Sequence, residues 1–283
     1  VKRALAGDGA LGHSAVGSAR NLDENRSGVL HKPREAERSM DVEILGVRTC
    51  AQTFEDALSM LLGWAEDAQG RRSVCTAPVY TVMMCAEDPA VMRAVNGADM
   101  VAADGMPIVW LQRQRYPAAE RVYGPDVLLA LTERTAASGV SHYFYGGQSG
   151  VAQALADRLR QRFPSVAIAG AYTPPVAPFS AQPDRHAIAL LNDSGASVVW
   201  VGLGSPKQDL WMALHRPLLH APLLIGVGAA FDMLAGVKAQ APRWMQRSGL
   251  EWLFRLLQEP RRLGRRYLYY NPLFIWRVLR QQK

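Results

Sequence analysis

The chain has 283 residues, of which 49% are hydrophobic and 20% charged; this excludes wholesale disorder and allows one or two domains with a full core. Three cysteines (Cys50, Cys75, Cys85) without a C-x-x-C pair exclude a disulfide framework and argue against a structural zinc site. The net charge of +7 sits mostly in residues 249–283, where eight Lys or Arg face only Glu251 and Glu259 amid seven aromatics, a composition that calls for an anionic partner: phospholipid, diphosphate or nucleic acid.

Residues 1–39 lack aromatics and read as a disordered arm, with the fold starting near Asp41. Thr53 and Asp56 make a capping-box-like start to a helix whose apolar face is Phe54, Leu58, Leu61, Leu62 and Ala65. A strand follows at 73–77. Asp88-Pro89 opens a helix that Gly97 closes. A short strand at 99–103 ends in Asp104-Gly105, and a helix runs from Pro125 to Gly139. Strand 141–145 ends in Gly146-Gly147, and a helix runs from Ser149 to Pro164. Strand 166–171, a proline-rich loop at 173–183 and a helix from Asp184 to Gly195 come next. Strand 197–201 ends in Gly202-Leu203-Gly204, Ser205-Pro206 opens another helix, and strand 222–227 ends in Gly226-Val227-Gly228. Pro260 and Pro272 each stand where a helix begins. Phe274, Ile275, Val278 and Leu279 form one apolar face, and Arg277, Arg280 and Lys283 line another side, as in an interfacial helix on anionic lipid.

The alternation of strands and helices predicts an α/β fold: a Rossmann-like parallel sheet covered on both faces, carrying a basic helical C-terminal appendage. The expected division is an arm at 1–39, a core at 40–248 and an appendage at 249–283. In such sheets ligands bind beyond the carboxyl ends of the strands, which places candidate sites at 76–80, 104–107, 146–149, 202–208 and 226–232. No uncharged stretch of membrane-spanning length escapes interruption by proline, and no secretory signal is evident.

The motifs exclude more than they assign. The full G-x-G-x-x-G fingerprint fails, because Lys207 and Phe231 occupy its third glycine positions, so nicotinamide-dinucleotide chemistry is disfavoured. No P-loop and no nucleophile elbow occurs. His215 and His220 straddle Pro217 at a spacing poor for a metal. No D-x-D exists; if a nucleotide sugar is handled, arginines would replace the metal on its diphosphate. Asp104 reads equally as a turn aspartate or as a general base at a strand end. Gln208 reads as the closing residue of a Ser205-x-x-Gln208 capping box. Gly202, Gly204 and Gly228 permit a backbone to approach a nucleotide, or simply make tight turns. Arg262, Arg265 and Arg266 make one cationic helical face, suited to solvent or to phosphate.

Taken together, MVAADGMPIVW (100–110), RVYGPD (121–126), VGLGSPKQDLWM (201–212), GVGAAFDMLAG (226–236) and APRWMQRSGLEWLFRLLQEPRRLGRRY (241–267) resemble the WecG/TagA/CpsF glycosyltransferases of bacteria. The resemblance runs from about Val42 to Tyr267. It implies an inverting, metal-independent transferase needing no cofactor. The enzyme would move an N-acetylmannosamine-type or glucose-type sugar from a UDP donor to an undecaprenyl-diphosphate-linked acceptor, at the cytoplasmic face of the membrane. By motif, it makes Asp104 the base and sets Thr76, Arg121 and Gln208 near the donor. Lys207 and Asp232 join the glycines as substrate-binding candidates. Arg255, Arg262 and Arg265 match appendage arginines that close over the donor diphosphate. Pro78 departs from the family pattern, which has asparagine there. The anionic membrane surface is the expected partner of 260–283. The competing class, a nucleic-acid or anionic-surface binder without enzymatic activity, leaves the strand-end motifs unexplained.

Overall fold

The computed structural model describes residues 40–281; the arm expected at 1–39 lies outside them. Eight strands form one sheet in the order β1-β2-β4-β3-β8-β7-β5-β6. The strands are β1 (Asp41–Ile44), β2 (Val47–Cys50), β3 (Arg72–Ala77), β4 (Met100–Ala103), β5 (Ser141–Gly146), β6 (Ala167–Tyr172), β7 (Val198–Gly202) and β8 (Leu223–Gly226). Only the β1–β2 hairpin is antiparallel; every other pair is parallel. The first and second halves of the chain meet where β3 lies beside β8, with Cys75 opposite Gly226.

Strand alternation sorts the core into two layers. On β7, Val198 and Trp200 join Phe144 of β5, Ile225 of β8 and Met100 of β4 on one face. Helices α1 (Phe54–Glu66), α5 (Gly124–Thr135) and α6 (Val151–Arg162) cover it with Leu58, Leu61, Leu128, Leu131 and Leu155. On the opposite face, Val199, Val201, Tyr143, Tyr145, Cys75 and Leu224 lie under α2 (Val79–Glu87), α3 (Pro89–Asn96), α4 (Met106–Arg113), α7 (Arg185–Asp193) and α8 (Lys207–His215). Burial on both faces is why these strands read as unbroken apolar runs.

The expected caps form. Thr53 Oγ1 accepts from the Asp56 N–H at 3.1 Å, the Asp88 side chain accepts from Ala90 N–H at 2.7 Å, and Asp184 accepts from the His186 and Ala187 amides. Two features went unread in the sequence, and a third differs from its reading. The hairpin turns through Leu45 and Gly46, both at positive φ (50° and 84°); leucine there hides the turn from a search for Asn-Gly. The β-branched, apolar run Val79–Glu87 is a helix, α2, seated on β3. Beyond the short helices α9 (Ala230–Leu234), α10 (Arg243–Arg247) and α11 (Glu251–Gln258), the C-terminal segment is one helix, α12 (Pro260–Gln281), that runs through Pro272 instead of restarting there. Pro272 removes one N–H from the ladder, but Phe274 and Val278 beyond it are buried in the α2 layer, and that packing carries the helix on. The apolar face expected to meet lipid is therefore divided: Phe274 and Val278 belong to the core, while Ile275 and Leu279 stay exposed.

Candidate active site

The carboxyl ends of β3 and β4 open into a cleft of about 550 Å³. Its floor is Pro78–Tyr80 and Asp104-Gly105. One wall is α4, through Met106, Trp110 and Leu111. The other wall is built by α11 (Glu251–Gln258) and by α12, through Arg255, Arg266, Ile275 and Leu279. Gly249, at φ +73°, turns the chain into α11 where a Cβ would lie 2.7 Å from the Trp110 ring, so the wall closes against α4 only with glycine at this point. The cleft is polar at the strand end and apolar toward Trp110 and Leu279.

Asp104 follows the fully buried strand β4 and keeps about 20% of its side chain exposed, toward the cleft. Oδ1 accepts from the Gly124 N–H at 3.3 Å. Burial pushes its carboxyl up to about 6, against the lowering pull of the Arg121 guanidinium, with the Glu251 carboxylate adding to the rise. Arg121 is held on three sides. Nε donates to the Asp104 carbonyl at 2.5 Å, Nη2 lies 2.7 Å from Glu251 Oε2, and the guanidinium sits 3.9 Å from the centre of the Tyr123 ring. The Tyr123 hydroxyl donates to Glu251 Oε1 at 3.0 Å.

Two further guanidiniums face the cleft without a carboxylate partner among the described residues. Arg255 stands one turn beyond Glu251 on α11. Arg266 lies 3.8 Å over the Tyr80 ring; its buried Nε has no hydrogen-bond partner, and burial lowers its affinity for a proton. A buried cation stacked on an aromatic, with a free donor, is a seat for an anion.

The other sequence-nominated residues divide into three groups. Thr76, Gln208, Gly202, Gly204 and Gly228 gather along the carboxyl edge of β3, β8 and β7, outside the cleft lining. Thr76 Oγ1 donates to the Gly226 carbonyl at 2.8 Å. The buried Gln208 reaches back as a capping box does, but takes the Gly204 N–H, at 3.2 Å, and gives its amide to Ser205 Oγ at 3.4 Å. Its side chain holds the glycine turn. Gly146 is obligatory at this edge, since a Cβ there would lie 2.6 Å from the Gly202 backbone. Lys207 and Asp232 are spoken for: Lys207 Nζ donates to the Ala177 carbonyl of the proline-rich loop at 2.5 Å, and Asp232 pairs with Lys238 at 2.7 Å. Arg262 and Arg265 are exposed and do not line the cleft; Arg262 pairs with Glu259, which also meets Lys238 at 3.2 Å. The guanidinium that α12 turns inward is Arg266, the member of the cationic face that the motif match passed over.

Sequence reasoning also missed Glu251 and Tyr123. The available signal was Glu251 itself, a carboxylate opening the apolar stretch Trp252–Phe254, a charge that has to find a cation once it is buried. His142 and His215 serve the core. His142 accepts from Trp200 Nε1 at 3.0 Å and burial pushes it down to about 4, while His215 Nε2 accepts from the Asp184 amide at 2.9 Å. Among the described residues no three His, Cys, Asp or Glu side chains come together as a metal site.

A carboxylate with a raised pKa at a strand end, guanidiniums around it and a glycine-lined edge beside it suit transfer to a hydroxyl with a phosphate leaving group. Residues 42–283 match the family model described as "Glycosyl transferase WecG/TagA/CpsF family".

Proposed function

Because this chain belongs to the WecG/TagA/CpsF glycosyltransferase family, and is thereby a glycosyltransferase of cell-surface polysaccharide synthesis, we propose that it moves a sugar from a UDP donor to an undecaprenyl-diphosphate-linked acceptor, with inversion and without a metal. The observation that carries this reading is the largely buried Asp104 carboxylate facing a cleft that also holds Arg121, Arg255 and Arg266. In the step proposed, the acceptor hydroxyl oxygen bonds to the anomeric carbon as the bond from that carbon to the β-phosphate oxygen breaks. The hydroxyl proton passes to Asp104, and UDP departs with the electron pair. One displacement inverts the anomeric centre. Arg255 and Arg266 take the charge that grows on the β-phosphate, a task for which a planar guanidinium fork is better shaped than an ammonium. The glycine edge at 202–204 and 226–228 receives the nucleotide. Pro78 supplies no side-chain donor at the cleft floor, so a sugar contact there is apolar, and an N-acetylmannosamine-type or a glucose-type donor fits this description equally.

The test is a panel of UDP-sugars against undecaprenyl-diphosphate-linked mono- and disaccharides, with UDP release measured in excess EDTA. Transfer from one donor at an undiminished rate in EDTA is expected. An absolute requirement for Mg²⁺ or Mn²⁺ would mean that the guanidiniums do not neutralise the diphosphate.

No helix of the described residues is long and apolar enough to cross a membrane. We place the enzyme peripherally, on the inner face of the cytoplasmic membrane. The support is the outer side of α12, where Leu268, Tyr269 and Trp276 are exposed among Arg261, Arg265 and Arg280. The double substitution Leu268→Ser, Trp276→Ser is expected to lower co-sedimentation with anionic vesicles at least tenfold, while leaving transfer to a short-chain soluble acceptor within about twofold of wild type. Each basic side chain near an anionic surface contributes only about 1 kcal/mol, so the apolar anchors decide retention. Unchanged sedimentation would move the membrane face elsewhere.

A further inference from the structure

Arg121 has two carboxylates within reach and is held by the one that belongs to the appendage. Its Nη2 lies 2.7 Å from Glu251 Oε2 but 3.8 Å from Asp104 Oδ1, beyond hydrogen-bond range. Glu251 is itself fixed, because the Tyr123 hydroxyl donates to its other oxygen, and the Tyr123 ring lies beneath the guanidinium. Among the described residues, the Asp104 carboxylate accepts one hydrogen bond, the long one from the Gly124 amide. With Glu251 absent, the same guanidinium would be free to turn its Nη2 onto Asp104.

We propose that Glu251 is a positioning residue: by holding Arg121 away from the Asp104 carboxylate, it leaves that carboxylate free to accept the acceptor's proton, and at the same time it seats α11 over the cleft. This rests on the reading of Asp104 as the base. The charged groups facing Asp104 are Arg121 from the loop before α5, and Glu251 and Arg255 from α11; the Tyr123 phenol also adjoins it. Glu251 in turn faces Arg121, Tyr123 and Asp104. Seating and tuning are one act here. A base engaged by a cation is a weaker base, and the contact that prevents this forms only when α11 is docked.

The two roles separate in Glu251→Gln, which keeps the size and the acceptor for Tyr123 but loses the charge. Removing a like charge and releasing Arg121 both favour the ionised form of Asp104, so its titration should move to lower pH. Carboxyl ¹³C spectra of the full chain, with the Asp104 signal identified by its absence in Asp104→Asn, should show the midpoint falling by at least one pH unit. The acid limb of kcat/KM, followed by UDP release from UDP-N-acetylmannosamine and UDP-glucose, should move by the same amount. On the plateau kcat should fall about tenfold, with the donor KM little changed. Glu251→Asp should return the midpoint part of the way. An unmoved midpoint and limb, whatever the loss of rate, would reduce Glu251 to a clamp on α11 and overturn the proposal. If Asp104→Asn itself keeps near-normal turnover, the base is misassigned and the proposal falls with it, a result separable from the first. The spectra decide the matter even for a variant too slow to assay.

Discussion

Asp104→Asn is expected to lower turnover by about 10²–10⁴-fold while the fold stays intact. Asparagine retains the shape and an oxygen to accept from the Gly124 amide, the hydrogen bond that the carboxylate makes among the described residues. What it lacks is the capacity to take up the acceptor proton. In the wild type, the base acts only when ionised. With its carboxyl raised to about 6, the rate should climb as pH rises through 6 and level off above it. The residual activity of the asparagine variant should show no such limb. Stability should move the other way. A carboxylate whose folded value is raised above its unfolded one weighs against the fold once the pH exceeds that value, so the variant should unfold no earlier than wild type at pH 7.5. Steady-state UDP release from pH 5 to 8, with thermal melts at pH 7.5, checks both. Near-normal turnover in the variant would remove Asp104 from the chemistry.

The second large effect concerns the appendage arginines. Arg255→Ala and Arg266→Ala should each lower kcat about 10²–10³-fold, the scale set by loss of one donor to a developing negative charge. Arg262→Ala and Arg265→Ala should change it by less than about fivefold. All four lie in one stretch of basic sequence, and net charge falls equally in each variant. Only the first two face the cleft; Arg262 is paired to Glu259 and Arg265 is solvated. Arg266→Lys should recover little, since an ammonium lacks the flat face that stacks on Tyr80 and the fork that grips two phosphate oxygens. A comparison of kcat for all four alanine variants at saturating donor decides it. Equal losses would mean that the diphosphate answers to overall charge and not to two placed guanidiniums.

Much of this was legible in the sequence because its signals were local. Proline and capping residues announce α3 at Asp88-Pro89 and α7 at Asp184, and β4, β5, β7 and β8 declare themselves as apolar runs ending in glycine or Asp104-Gly105. What was hidden depended on tertiary contact. Val79–Glu87 has no helical signature strong enough to outweigh its β-branched residues, and it is helical because it packs on β3 and α12. Spacing showed that Arg262, Arg265 and Arg266 share a helical face, but it could not say which of them turns inward; that is settled by where Tyr80 lies. Glu251 was visible only as a letter in a matched motif. Its role needs Arg121, 130 positions earlier, and nothing in the chain between them links the two. Pro272 misled for the opposite reason: a strong local rule was overridden by the burial of Phe274 and Val278.

That burial also bears on how the protein is made. Phe274 and Val278 fill the same layer as Val82, Ile108 and Leu224, yet α12 leaves the ribosome after every element it covers. Until it emerges, one face of the sheet is capped incompletely and the cleft lacks the wall that carries Arg266. A nascent chain therefore holds its strands, its glycine turns and Asp104 before it holds a complete cleft. Docking of α12 completes the site, and until then an exposed apolar layer lies within reach of chaperones and of other unfinished chains.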